Sequence, residues 1–168
     1  EEQIDARAAR LSKLAVSVWS HPRVQESALD AYRPQQNETA RPQYELQDHL
    51  NLAPGRPMRP LFDALRTELL ALDPNIGEEI LKHYIAYKAE TNVIDVVPLV
   101  GRLSLMLNMP FPELLDPKGL AADVTNLGRW GNGDVEIGLS TVEEIPYVLG
   151  LVRQSLDLQL SNAAETAS

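Results

Sequence analysis

The stretch YIAYKAETNVIDVVPLVGRLSLMLNM, residues 84–109, decides the fold class of this chain. It contains three segments rich in strand-forming residues, at 84–87, 93–97 and 101–109, with polar residues, proline or glycine between them. In the last segment, alternate residues from Leu103 to Met109 are apolar, which is the pattern of a half-buried strand. Three short strands joined by short turns predict an antiparallel sheet.

The sequence before this stretch predicts helices. A strong amphipathic helix is expected to end at Asp73-Pro74-Asn75, because five apolar residues before that point recur at helical spacing. We also expect a short helix at 44–52, and we expect 78–90 to begin as the end of a helix and to become a strand. The apolar residues of the amphipathic helix are Leu61, Phe62, Leu65, Leu69 and Leu72.

The sequence after this stretch predicts a further strand and two more helices. A short helix is expected within 116–125, and a fourth strand at 134–139. Ser140 and Glu143 have the spacing of a capping box for a last helix, but Pro146 conflicts with a regular helix interior. That helix therefore starts later than Ser140, or its first turns are irregular. Together, these elements predict an α+β fold, an antiparallel sheet of about four strands packed by helices.

The N-terminal quarter of the chain differs from the rest in charge and in pattern. Residues 1–43 carry equal numbers of acidic and basic groups, so the whole formal net charge of −9 belongs to the remainder. An apolar stripe from Ile4 to Val18 predicts a separate helix at 2–19, and the polar, proline-containing sequence after Pro22 predicts a linker. The predicted parts are an N-terminal helix at 1–22, a linker at 23–43, an α+β module at 44–160 and a disordered tail at 161–168.

Composition and charge exclude several classes of protein. A chain with 24 acidic and 15 basic residues repels phosphate at long range, so tight DNA binding is not expected. The chain has no cysteine, and its apolar runs are far shorter than the roughly 20 residues of a membrane span. No signal peptide is visible and the chain begins with Glu1 rather than Met, so we expect a fragment or a processed product in the cytoplasm.

No catalytic, metal or cofactor site is predicted. The three histidines lack the spacing of helical metal ligands, and phosphate-loop and nucleophile-elbow motifs are missing as well. Two-metal nucleases often pair a strand carboxylate with an acidic-x-Lys unit, and Asp95 followed by Asp116-Pro117-Lys118 resembles this pattern. Pro117, however, would disrupt the strand that such a unit occupies. We therefore expect this part of the protein not to be an enzyme.

The most distinctive local sequence is Gly-Arg-Trp-Gly-Asn-Gly-Asp at 128–134. One interpretation is a tight hairpin, because Asn-Gly tolerates positive φ angles, with the indole packed over the turn. The other is a recognition loop, in which glycine N–H groups bind an anion while the arginine and the indole supply charge and a stacking surface. A second polar aromatic patch is predicted at 84–88. The candidate recognition residues are Arg129, Trp130, Asn132, Tyr84, Tyr87 and Lys88.

These motifs resemble those of a bacterial domain of unknown function, over most of Tyr44–Leu160. Domains of this type lie at the C-terminus of proteins labelled "predicted transport protein" and after the ParB-like and HNH nuclease halves of GmrSD-type restriction proteins. The resemblance implies that 7–22 is the end of such a nuclease half, and it implies no catalytic residues. Among the segments that carry it are Asp48-His49-Leu50, 84–88, 107–111, 116–120 and Gly128-x-Trp130-Gly131-Asn132-Gly133-Asp134-Val135.

The resemblance implies a non-catalytic C-terminal recognition or interaction module of a bacterial DNA-restriction or phage-defence nuclease. Its partners would be the upstream nuclease domains of the same polypeptide, and no membrane partner is expected. An alternative is an independent small-ligand-binding domain or enzyme with a site near Trp130 and Tyr84–Lys88. A third is an oligomerisation domain that forms homo-oligomers through the 2–19 helix. An Asp/Glu-Gly-Gln-Gln-Arg motif upstream in the gene would favour the first.

Overall fold

The structure is a computed structural model that describes residues 42–127 and 132–166. Apart from Pro42, these residues belong to one compact unit, Gln43–Ser168. The helix predicted at 2–19, and the predicted linker up to residue 41, lie outside the described residues, and both stay predictions.

Six strands form one antiparallel sheet in the order β1-β2-β3-β4-β6-β5. The α+β class is confirmed, with six strands where about four were predicted. Strands that follow each other along the chain are neighbours, except that β6 lies between β4 and β5. The strands are β1 (Gly77–Ile80), β2 (Ile85–Lys88), β3 (Asn92–Pro98), β4 (Leu103–Leu107), β5 (Ala121–Asp123) and β6 (Val135–Leu139).

The two additional strands lie where the sequence predicted helical residues. β1 forms a hairpin with β2 that is closed by the N–H of Leu81, which donates to the carbonyl of Tyr84 at 3.0 Å. β5 follows Gly119, whose φ of 63° interrupts any helix there, and it pairs with β6. Both strands are short and lie at the two edges of the sheet. Each is therefore stabilised by hydrogen bonds to one neighbouring strand. Such pairing cannot be predicted from the local strand propensity of the sequence.

Two α-helices cover one face of the sheet, α1 (Met58–Ala71) and α2 (Ile145–Thr166). α1 confirms the predicted amphipathic helix, and Leu61, Phe62, Leu65 and Leu69 are all buried in the core. The short helix expected at 44–52 is instead a pair of 3₁₀ turns, Leu46–Asp48 and Leu50–Leu52.

The start of α2 resolves the conflict at Pro146. A 3₁₀ turn at Val142–Glu144 precedes the α-helix, and the capping box joins Thr141 to Glu144 rather than Ser140 to Glu143. Pro146 then falls in the first turn, where a missing N–H leaves no hydrogen bond unmade. At its other end α2 continues to Thr166, so residues 161–166, expected to be a disordered tail, are helical. Alanine-rich sequence at Ala163–Ala164 favours this continuation.

Neither α1 nor α2, the two α-helices of the described residues, has the length and apolar character needed to cross a membrane.

The two faces of the sheet have different compositions. The face that packs on α1 and α2, called here the helix face, is apolar and belongs to the core. Because side chains alternate along a strand, the residues between them lie on the opposite face, called here the polar face. Lys88 and Ser104 lie on the polar face. One row of neighbouring residues crosses the same face and consists of Glu79, Ala86, Asp95, Met106, Glu136 and Ala122. The helix face carries Ile85, Tyr87, Ile94, Val96, Leu103, Leu105, Leu107, Val135, Ile137 and Leu139.

Candidate functional site

Asp95 lies at the centre of the polar face and exposes none of its surface. It is on β3, and its neighbours in register are Ala86 on β2 and Met106 on β4. Its Oδ2 accepts a hydrogen bond of 2.6 Å from the backbone N–H of Asn132. Its Oδ1 has no hydrogen-bond partner among the residues that the structure describes. Of the two oxygens of this central carboxylate, only Oδ2 is therefore hydrogen-bonded to a described residue.

The side-chain amide of Asn92 adds to this unsatisfied cluster. It lies beside the carboxylate of Asp95, but both its Nδ2 and its Oδ1 are buried without a hydrogen bond of ordinary geometry to any described residue. Burial raises the pKa of Asp95, while the N–H of Asn132, the Asn92 amide and the positive charge of Lys88 act to lower it. The net direction is upward. Buried polar atoms are nearly always paired, so such a cluster calls for a specific explanation.

Tyr84 and Lys88 lie on the same side of the sheet as Asp95. Both are two residues from Ala86, the neighbour of Asp95 on β2. Burial raises the pKa of Tyr84, and the charge of Asp95 raises it further, while Lys88 opposes the shift. Lys88 forms an ion pair with Glu79, and both side chains are partly exposed. Three of the candidate recognition residues, Tyr84, Lys88 and Asn132, are thus brought together around Asp95.

Tyr87 is not part of this group, because it lies on the helix face. A separation of three residues places Tyr84 and Tyr87 on opposite sides of the sheet. Tyr87 is fully buried, and its hydroxyl donates to Oε2 of Glu78 at 2.8 Å. Arg66 of α1 donates to both oxygens of the same carboxylate at 2.6 and 2.9 Å. Burial raises the pKa of Tyr87 far above its usual range, and Tyr87 is a core residue rather than a recognition residue.

The segment around Asn132 and Gly133 is held tightly against the sheet. Gly133 has a φ of 114°, and a Cβ built on it would lie 1.9 Å from the carbonyl oxygen of Leu107. Only glycine fits there, both because of its backbone conformation and because of the available space. Arg129 and Trp130 lie outside the described residues, so their recognition role stays a prediction.

The connection between β5 and β6 is not the tight hairpin that was one interpretation of this sequence. β5 ends at Asp123 and β6 begins at Val135, and a further bond continues the ladder from the N–H of Val124 to the carbonyl of Asp134 at 2.9 Å. Asn132 does not have a positive φ, as a two-residue Asn-Gly turn would require. The glycine at 133 instead allows the chain to pass close to β4.

The other polar groups of the polar face are paired. Glu136 accepts hydrogen bonds from the hydroxyl of Ser104 at 2.7 Å and from Arg102 at 3.0 Å. Asp116 is the second carboxylate of the sequence pattern that resembles a two-metal nuclease site. It has a structural role, because it accepts hydrogen bonds from the hydroxyl of Tyr147 and from the N–H of Ala121. The nuclease interpretation of Asp95 and Asp116 thus has no support in these contacts.

Comparison with known proteins places the central sheet and the site within one family. A family model with the description "Domain of unknown function (DUF5655)" matches residues 48–159. The chain belongs to this family. The matched residues include Asn92, Asp95 and Asn132, so the unsatisfied cluster lies inside the family domain.

A similar protein of Haemophilus influenzae carries the name "Uncharacterized protein". It is 38% identical over 96 residues, which are 57% of this chain and 32% of the relative. The chain thus spans about a third of the length of the curated relative that it matches. No solved structure matches the chain.

Sequence reasoning missed the two residues at the centre of the site. Asp95 was considered only as half of a nuclease pattern, and Asn92 was not considered at all. A usable signal was present, since a charged residue interrupts the apolar sequence Val93-Ile94-Asp95-Val96-Val97. An acidic side chain inside such a strand is either exposed on the solvent face or buried for a reason.

Proposed function

We propose that residues 44–160 form a non-catalytic recognition or interaction module of a larger bacterial protein, and that the polar face around Asp95 is its binding surface. The observation that carries this proposal is the buried Asp95 carboxylate, one oxygen of which has no hydrogen-bond partner among the described residues. Leaving a buried polar group unpaired costs roughly 1–3 kcal/mol, and more for a charged group. Such costs are concentrated at functional sites, where the group has a task other than stability.

The arrangement of groups favours recognition over chemistry on a substrate. Asp95 is enclosed and is held by the backbone of Asn132, and Lys88 is paired with Glu79. The raised pKa of Tyr84 keeps its hydroxyl neutral. These groups offer fixed hydrogen-bond donors and acceptors rather than a poised nucleophile.

The length of the relative supports a role within a longer protein. The matched region covers only 32% of the Haemophilus influenzae protein, so the family domain occurs there together with other sequence. We extend the proposal to the context that the resemblance implied, the C-terminal module of a cytoplasmic DNA-restriction or phage-defence nuclease. Its partners would be the upstream nuclease domains of the same polypeptide, and an acidic module with a net charge of −9 suits a protein partner better than DNA.

A second candidate function is a small-ligand site or enzyme near Tyr84–Lys88, and one observation favours it. Asp95 has a raised pKa and lies beside a tyrosine and a lysine, a combination that suits proton transfer. A turnover that depends on Asp95 and on pH would favour this candidate over the first.

A phage-restriction assay tests the first proposal. Bacteria that express the complete gene product are challenged with a panel of phages, and the efficiency of plating is measured for wild type, Asp95→Asn and Asp63→Asn. We expect Asp95→Asn to lose restriction, because the buried carboxylate positions the exposed Asn132 at the binding surface, and Asp63→Asn on the exposed side of α1 to keep it. A wild type that restricts no phage, or an active Asp95→Asn variant with a normal melting temperature, would contradict the proposal.

The isolated chain provides a second test. We expect neither tight binding to unmodified duplex DNA nor metal-dependent nicking of plasmid DNA at physiological salt. Binding with a dissociation constant below about 1 μM would contradict the expectation that recognition is directed at protein.

A further inference from the structure

Residues 45–52, called here the 3₁₀ segment, precede α1 and are held by tertiary contacts. They contain the two 3₁₀ turns, and Leu52 at their end is fully buried. The side-chain amide of Asn51 donates to the carbonyl of Pro98 at 2.9 Å, and Arg59 of α1 donates to the carbonyl of Leu52 at 3.1 Å. A pair of 3₁₀ turns has little stability of its own, so the segment stays in place only while such contacts are made.

His49 lies between the two 3₁₀ turns and exposes only 6% of its surface. Its Nε2 is buried and has no hydrogen-bond partner among the described residues. The ring lies beside the backbone of Leu81, in the turn that joins β1 to β2. A neutral imidazole can leave Nε2 without a proton, whereas an imidazolium places an N–H donor and a positive charge there. The buried position of His49 therefore suits only the neutral ring.

The groups that face His49 do not offset its burial. Burial lowers the pKa of His49, and this effect exceeds the opposing effects of the Leu81 backbone and of the Asp48 charge. His83 in the β1–β2 turn acts in the same direction as burial. Arg59, which contacts the segment from α1, is paired with a carboxylate of its own helix. The docked segment thus binds this proton less tightly than an open one, so docking is most stable above the ordinary pKa of 6.5 and weakens as the pH falls.

We propose that the 3₁₀ segment is an acid-sensitive conformational switch, which is docked while His49 is neutral and is released when His49 is protonated, while the sheet stays folded. Local release is expected for a segment that is held by side-chain contacts rather than by a strand ladder. The released residues would become part of the connection that precedes α1. This switch does not depend on the function proposed above for the polar face.

Amide hydrogen exchange of the whole chain, followed by NMR, tests the switch. The Leu52 amide is the reporter, because it donates to the carbonyl of His49 at 2.8 Å. After correction for the intrinsic exchange rate, its opening equilibrium should increase at least about threefold between about pH 7.5 and about pH 5.5. A single proton limits the increase to about tenfold for each pH unit. An opening equilibrium that does not change with pH would overturn the proposal.

The dependence of exchange on urea shows whether the opening is local. Exchange at Leu52 should depend little on urea, because release of the 3₁₀ segment exposes little surface. Exchange at Leu105 in the central strand β4 should increase steeply with urea, since it requires unfolding of the sheet. Equal urea dependence and equal opening equilibria at the two amides would mean that the segment opens only with the whole fold, and the proposal would fail.

Two histidine variants identify the proton. His49→Gln replaces the ring with a neutral amide, so its opening equilibrium should vary by less than about twofold over the same pH interval, whatever its absolute stability. His83→Gln is the matched control, because it removes an exposed histidine of the adjacent turn and should keep the pH dependence of the wild type. A pH dependence that survives in His49→Gln, or that disappears in His83→Gln, would assign the proton to another group and contradict the proposal.

Discussion

The two faces of the sheet belong to the same strands and are both buried at their centres, but they bury different kinds of side chain. On the helix face, strand residues such as Val96 and Leu105 are buried against α1 and α2 in one apolar cluster. On the polar face, Asp95, Ser104 and Met106 are buried as well, yet one oxygen of the central carboxylate lacks a partner within 42–127 and 132–166. Burial by itself therefore does not distinguish a core from a site. The distinguishing property is whether the buried polar atoms have partners.

The polar groups that link the helices to the helix face are hydrogen-bonded. Glu78 accepts from both Tyr87 and Arg66, and Ser155 of α2 donates to the carbonyl of Val93 at 2.8 Å. These contacts join the helices to the sheet, and their role is stability. The polar face has satisfied groups near β6, but its centre at Asp95 is incomplete. The contrast predicts opposite responses to substitution on the two faces.

The largest effect is expected where the segment of Asn132 joins the sheet. Gly133→Val should destabilise the fold by at least about 3 kcal/mol, because a positive φ and a clash with the Leu107 carbonyl add together. Gly119→Ala is the matched control, since its φ is also positive but the space around it is open. It should lose only about 1–2 kcal/mol from backbone strain. Urea denaturation measures both, and equal losses would mean that contact with β4 contributes nothing.

The two tyrosines compare the faces directly. Tyr87→Phe removes the buried hydroxyl that donates to Glu78, so it should lower the free energy of unfolding by about 1–2 kcal/mol. Tyr84→Phe on the polar side should change stability by less than about 0.5 kcal/mol. Thermal and denaturant melts of both variants test the contrast. A larger loss for Tyr84→Phe would reverse the roles assigned to the two faces.

Asp95→Asn should be neutral or stabilising by roughly 1 kcal/mol at pH 7, since it removes a buried charge that lacks a full set of partners. The raised pKa of Asp95 means that the folded protein binds this proton more tightly than the unfolded chain. Wild-type stability relative to the variant should therefore fall as the pH rises from about 3.8 through the raised pKa. Denaturant melts across this interval measure the difference, and a wild-type advantage that grows with pH would contradict the assignment.

Asp116→Asn provides the control of opposite sign. Burial acts to raise the pKa of Asp116, but hydrogen bonds from Tyr147 and from backbone N–H groups prevail and lower it. The stability that the wild-type carboxylate contributes should be present above the ordinary carboxyl pKa and lost as the pH falls. The two aspartates should thus shift the pH profile in opposite directions.

The smallest effect is expected at the margin of the polar face. Arg102→Gln breaks a partly exposed ion pair of 3.0 Å with Glu136, while Ser104 still donates to the same carboxylate. The loss should be at most about 0.2–1 kcal/mol and should shrink at high salt. A loss as large as that of Tyr87→Phe would mean that the margin, and not only the helix face, carries the stability of the sheet.

The parts of the fold that were predicted from sequence are those with strong local periodicity. The spacing of the leucines in α1 and the alternation of apolar residues in β4 each indicate one buried face, whichever element packs against it. β1 and β5 were missed because each is a short edge strand, formed by pairing rather than by local preference. β4 itself is buried on both faces, although its alternation predicted a half-buried strand.

The site was predicted only in part, for a related reason. Residue type alone predicted Asn132, Tyr84 and Lys88 as recognition residues. Their spacing in the sequence did not indicate that all three lie around Asp95. Tyr87 was grouped with them because a short list of aromatic residues does not show on which face each one lies. The hydrogen bond between Asn132 and Asp95 joins residues 37 positions apart.

The sequence by itself determined the α+β class, the central strands and the apolar face, because hydrophobic period and turn chemistry are local properties of the chain. Only the tertiary structure decided which strands form the edges, why residue 133 must be glycine, and which buried polar atoms lack partners in the described part of the chain. Those properties depend on register between distant segments. A shift of one residue in β3 would turn Asp95 toward the helices and leave the local pattern of the sequence unchanged.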